Sequence, residues 1–149
     1  MNKKEIFDLL YRWSINNNIA IILPPFSIKL IEDYQKRHNL NFVPEGFTIY
    51  FPYTNMGKIV LKSNNPIVLM HEIGHVISIR NYNDHGEYSA EYEGVKLLRQ
   101  LISPSNFSEK ANRYFSLIES FGKEVHQNYF NSKETKIIVD EWNKIYKGE

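Results

Sequence analysis

The sequence predicts an α+β domain, mainly helical, with a small twisted β-hairpin packed on one buried helix. Three observations carry this. Apolar residues recur at helical spacing near both ends, as Ile6-Leu9-Leu10-Trp13 and as Ile137-Ile138-Trp142-Ile145. Two short runs, Phe47 to Phe51 and Lys58 to Leu61, are strand-like and are separated by turn residues Pro52, Asn55 and Gly57. One stretch, Ile67 to Ile79, is apolar on almost every side, the pattern of a helix enclosed by the rest of its domain. A chain of 149 residues can bury one core and is short for two, so residues 1–149 are read as a single domain.

Taken in order, Ile6, Leu9, Leu10 and Trp13 line a first helix that stops at Asn16-Asn17-Asn18. Ile19 to Leu23 is a short extended piece ended by Pro24-Pro25. Ser27 is placed to cap a second helix carrying Ile28, Ile31 and Tyr34 inward. The hairpin follows. Asn65-Pro66 then reads as an N-cap and a proline at the first helical position, where its missing N–H is harmless. The helix it opens breaks at the polar stretch Arg80 to Gly86, which has turn chemistry. Asp84 followed by Glu87 resembles a capping box for a helix from Glu87 to Ile102, ended before Pro104. Two more helices are indicated, one with the stripe Phe115, Ile118, Phe121, Val125 and Tyr129, the other with Ile137, Ile138, Trp142 and Ile145. Both stripes are read as core, with the option of walling one side of a cleft.

Inside the enclosed helix, His71-Glu72-Ile73-Gly74-His75 reads H-E-x-x-H. Residues four apart share a helix face, so His71 and His75 aim two imidazoles at one point, as two ligands of a tetrahedral zinc ion must. Glu72, one step round, can take a proton from a water held there. Two histidines buried in an apolar helix need partners, because an unpartnered buried polar group costs a few kcal/mol. A third ligand is expected from the next helix. Glu87 and Glu91 share one of its faces, whereas Glu93 points elsewhere, so one of the first two is the candidate.

The stretch Glu91-Tyr92-Glu93-Gly94-Val95, running on to Leu101-Ile102-Ser103-Pro104, resembles the E-x-E-A-N-x-F-A-x-x-L-L-M-P segment of ImmA/IrrE-type metallopeptidases. In those proteins the segment follows an H-E-x-x-H helix. The wider group is the gluzincins, with thermolysin the familiar member. The resemblance covers Lys58 to Pro104, about a third of the chain, and its first motif is the specific one. It implies a zincin-like fold, a Zn2+ ion held by His71, His75 and Glu91, and a narrow protein or peptide substrate. Gly94 is compatible with the family's small residue. Val95 replaces its Asn, and Leu-Ile-Ser-Pro stands for L-L-M-P. A rival register, closer to thermolysin's Glu-x-x-x-Asp, makes Glu87 the ligand and Glu91 the carboxylate that orients a histidine. Glu91 is preferred and Glu93 comes last.

On this reading the chain is a zinc metallopeptidase. Glu72 accepts the proton of an activated water as it attacks a peptide carbonyl, then returns it to the departing amine. Tyr82, His85, Tyr88 and His126 are the candidates for a donor to the oxyanion. His38, beside Lys36 and Arg37 at a helix end, is read as structural. Lys58 to Leu61, directly before the motif, is either the sheet edge that receives an extended substrate or an internal strand. Two readings from other classes stand beside this one: a zincin-fold regulatory protein that binds zinc without cleaving, and a helical interaction domain.

Charge argues against two partner classes. Eighteen basic and seventeen acidic residues are interspersed, so neither nucleic acid nor a membrane surface is expected. The absence of cysteine fits a reducing compartment, and the apolar run Ile19 to Leu23 is too short for a membrane span, so cytoplasm is expected. Ten Tyr and nine Phe mean a core rich in rings, with some Tyr available to line a groove.

Overall fold

The computed structural model describes residues 1–122 and 133–148. Asn2 starts helix α1 (Lys3–Asn16) with a reciprocal cap: its side chain accepts from the Glu5 N–H at 2.9 Å, and the Glu5 carboxylate accepts from the Asn2 N–H. Helix α1 buries Ile6, Phe7 and Leu10, and strand β1 (Ile19–Ile22) follows. Helix α2 (Phe26–Arg37) opens after Pro25 without a side-chain cap. Ser27 is therefore not the cap expected of it. Proline's fixed φ lets the helix start earlier, and Ser27 is buried within its first turn. Ile31 and Tyr34 turn inward as expected, but Ile28 is 40 % exposed.

Strands β2 (Gly46–Phe51) and β3 (Met56–Leu61) form the predicted antiparallel hairpin. The piece before the two prolines proves to be a third strand, because β1 pairs parallel with β3 on its other side and the order is β1-β3-β2. Strand β3 is thus central and is not the sheet edge that was one of its two expected roles. The physical reason is legible in it: Ile59, Val60 and Leu61 are all fully buried, as suits a strand covered on both faces. The edges are β1 and β2. Phe47 and Val60 meet Ile31 of α2 on one face, with Tyr34 stacked on Phe47 at 4.3 Å. Ile59 and Leu61 join the main core on the other.

That core surrounds helix α3 (Pro66–Tyr82), whose Val68, Leu69, Met70, Ile73 and Val76 are buried on every side. Asn65 caps it as predicted, accepting from the Ile67 N–H at 2.9 Å and the Val68 N–H at 3.4 Å. The helix ends at Asn83, which adopts the left-handed conformation (φ 51°) that asparagine tolerates. The expected Asp84–Glu87 capping box does not form. Asp84 instead accepts from the Gly86 N–H at 2.8 Å and from the Ser89 hydroxyl, making a tight reversal into helix α4 (Glu87–Leu101). The Glu87 side chain is left free of the cap and turns to the histidines.

Helices α3 and α4 pack backbone to backbone. A Cβ on Gly74 would lie 1.7 Å from the Ala90 carbonyl oxygen, and one on Gly94 would lie 2.5 Å from that of Met70. Two glycines thus set how closely α4 approaches the motif, and with it where the acidic residues of α4 fall.

Beyond a short 3-10 turn (Pro104–Asn106), helices α5 (Glu109–Phe121) and α6 (Lys133–Gly148) close the far side. Phe115, Ile118 and Trp142 are core, as the stripes predicted, whereas Ile137 is 50 % exposed. Val125, Tyr129 and His126 lie outside the described residues. Among the described residues, no helix is long and apolar enough to cross a membrane.

Candidate metal centre

Helix periodicity brings His71 and His75 together as expected, their rings 4.9 Å apart and nearly perpendicular at 88°. One Glu87 carboxylate oxygen, Oε2, stands 2.8 Å from His71 Nε2 and 3.1 Å from His75 Nε2. Both imidazoles therefore point the same nitrogen at a single acidic oxygen. Glu91, one helical turn on, stands behind His71 with Oε1 3.3 Å from Nδ1. The sequence reading preferred Glu91 for the converging carboxylate; in the structure it is Glu87 Oε2 that lies against both Nε2 atoms, while Glu91 lies against His71 Nδ1. The connection between helices α3 and α4 is short. Asn83 and the Asp84 turn make that connection feasible. Glu93 is buried on another face of α4 and does not line the site.

Glu72 lies beside the pair, and its Oε1 accepts from the Thr48 hydroxyl of β2 at 2.9 Å. Burial pushes the Glu72 carboxyl above its ordinary pKa, although the two imidazoles and the Thr48 hydroxyl work against that rise. His71, Glu72 and His75 each present a ligand atom within 4.8 Å of the others. Burial disfavours charge on His71, but the hydrogen bonds to Glu87 and Glu91 outweigh it and bring its pKa up to about 10. The same imidazoles, through their hydrogen bonds, hold Glu87 well below the usual carboxylate range.

A cleft of about 550 Å³ opens over these groups, between β2 on one side and α6 on the other. Its lining holds Glu45, Glu72, Glu87 and Glu91, and among the described residues neither Lys nor Arg. An acidic pocket built round two imidazoles, lined by no Lys or Arg among the described residues, fits a divalent metal ion in donor chemistry. Two His nitrogens and a carboxylate are a donor set that could hold a divalent metal such as zinc.

Of the expected oxyanion donors, His85 lines the cleft. Tyr82 is 58 % exposed and is not part of the lining, and the Tyr88 hydroxyl donates to the Ile118 carbonyl at 3.1 Å. His38 packs its ring on Tyr34 at 4.1 Å, outside the lining, consistent with a structural role. Val95 is fully buried in the main core. The sequence reading missed Thr48, an ordinary strand residue until α3 is laid against β2. It also missed Tyr114 of α5, counted in no apolar stripe, whose hydroxyl donates to Glu91 Oε2.

Comparison of the chain with protein-family models, with curated proteins and with solved structures finds no match.

Proposed function

We propose that the chain is a zinc-dependent peptidase whose metal ligands are His71, His75 and Glu87 and whose general base is Glu72. The observation that carries this is the convergence of both Nε2 atoms on one carboxylate oxygen, with a second carboxylate held beside them. A bound zinc ion would supply Lewis acidity and lower the pKa of water at that point. Glu72 takes the proton of the attacking water and delivers it to the departing amine. A carboxyl raised by burial suits this double duty, since its pKa is brought nearer the operating pH. Glu91 lies 3.3 Å from Nδ1 of His71, and by accepting a proton there it would leave Nε2 to ligate a metal once Nε2 is deprotonated. His85 is the cleft residue available to donate to the developing oxyanion.

Substrate recognition follows from the sheet order. Strand β2 is an edge, and it lies along the cleft through Gly46, Phe47 and Thr48. An extended peptide can pair its main chain there and leave side-chain selection to the walls. The acidic lining disfavours acidic side chains near the scissile bond. A specific protein substrate and a cytoplasmic setting, suggested by the motif segments and the lack of cysteine, are part of the same proposal.

Metal analysis of the purified chain tests the assignment. One zinc per chain is expected, lost in His71→Ala and Glu87→Ala and retained with weaker affinity in Glu91→Ala. Zinc kept by Glu87→Ala and lost by Glu91→Ala would reverse the two acidic roles. Zinc bound at full stoichiometry without cleavage of any peptide would favour a regulatory zinc protein.

Thr48 provides a pH test. Its hydrogen bond favours the ionised form of Glu72, so Thr48→Val raises the Glu72 pKa further. The acid limb of the kcat/KM profile should therefore move to higher pH, with activity at neutral pH reduced several-fold. A limb that stays put would detach Thr48 from the base.

A further inference from the structure

We infer that Tyr114 is a positioning residue for the metal site, acting through Glu91 on His71. This rests on the metal-binding reading above and extends it to a residue on a different helix. A carboxylate with one oxygen engaged can still rotate about its terminal bond, so a single contact to His71 Nδ1 at 3.3 Å sets the imidazole loosely. Tyr114 engages the other oxygen, its hydroxyl donating to Glu91 Oε2. With both oxygens held, the carboxylate plane is fixed, and with it the direction of His71 Nε2.

The hydroxyl is itself held in place. Tyr114 is 5 % exposed, and its ring stacks on Trp142 of α6 at 4.5 Å and 6°. Phe115 meets the same Trp142 edge-on at 5.2 Å. A tyrosine has only two side-chain torsions, and here packing fixes the ring, so the position of its oxygen is dictated by α5 and α6. The chain of contacts Trp142–Tyr114–Glu91–His71 connects the wall of the cleft to the centre it covers.

The test is zinc affinity, measured by chelator competition for the wild type, Tyr114→Phe, Glu91→Gln and the double variant. Tyr114→Phe keeps the stacked ring and removes one oxygen atom, and is expected to weaken zinc binding roughly 10- to 100-fold. Because Tyr114 acts through Glu91, the double variant should be no weaker than Glu91→Gln alone. Losses that simply add would mean a separate structural effect and would overturn the inference. So would wild-type affinity in Tyr114→Phe when the wild type itself binds zinc. A wild type that takes up no zinc overturns the metal reading, and this inference with it. Should Tyr114→Phe fail to fold, the wild type decides: the hydrogen-bonded Tyr114 hydroxyl proton should shift in its NMR resonance as zinc is titrated in. A resonance indifferent to zinc would sink the proposal.

Discussion

Glu72→Gln should leave zinc bound at full stoichiometry and reduce peptide hydrolysis by about 10²- to 10⁴-fold, the range for losing a general base. The change is nearly isosteric. The Gln side-chain oxygen can still accept from the Thr48 hydroxyl, so the contact between α3 and β2 at 2.9 Å need not be broken. What disappears is the capacity to take a proton, because an amide is not basic at working pH. The expected signature is a fall in kcat with little change in KM, together with unaltered metal content. Removing a buried carboxylate also relieves the desolvation that raises its pKa, so the variant should be at least as stable as the wild type. Turnover that survives this substitution would refute the assigned role, and would do so without disturbing the metal assignment.

Gly74→Ala is expected to have the largest structural effect of any single methyl group. The added carbon would fall 1.7 Å from the Ala90 carbonyl oxygen and 2.6 Å from its carbon, and both atoms are backbone. No side-chain rotation can relieve such a clash, so the two helices must separate. Overpacking of this kind costs about 1–3 kcal/mol and sometimes more. For a chain of this size 3 kcal/mol lowers Tm by about 6–12 °C, measured on the metal-free protein. Zinc affinity should fall as well, because separation withdraws Glu87 and Glu91 from the histidines. A useful control is Gly57→Ala, where the Cβ meets Val76 side-chain atoms at 2.7 Å and a rotamer change can absorb part of the strain. Equal losses in the two variants would show that the backbone contact at Gly74 is not special.

Much of this architecture is legible in the residues themselves. Asn65-Pro66 announces the start of α3, its unbroken apolar character announces burial, and the spacing of His71 and His75 announces a shared face. These are local properties, written in one stretch of chain. Which acidic residue of α4 meets the pair is different in kind. Glu87 and Glu91 share a face, and the choice between them depends on the offset of one helix along another. That offset is set by the Gly74 and Gly94 contacts, which exist only when both helices are present. The same distinction explains the sheet. Two strands joined by a short turn are evident, but the pairing of β1 with β3 joins segments separated by two other elements. Ser27 and Asp84 misled because capping residues are recognised by type, whereas Pro25 and the Asn83 reversal had already decided where their helices begin. Tyr114 gave no sign at all, since its partner Glu91 and its stacking partner Trp142 are distant in sequence.

On the proposed function, Thr48 belongs to the edge strand that would receive a peptide, and it also holds Glu72, the proposed base. On that proposal, docking and bond cleavage would be mechanically joined. Side chains alternate along an extended peptide, so a ligand shifted by one position presents the wrong row to the walls and tugs on β2 as it settles. Poorly matched sequences would then be penalised in turnover as well as in occupancy. Such an enzyme discriminates most sharply at the moment of reaction, and can tolerate many loose encounters without cutting.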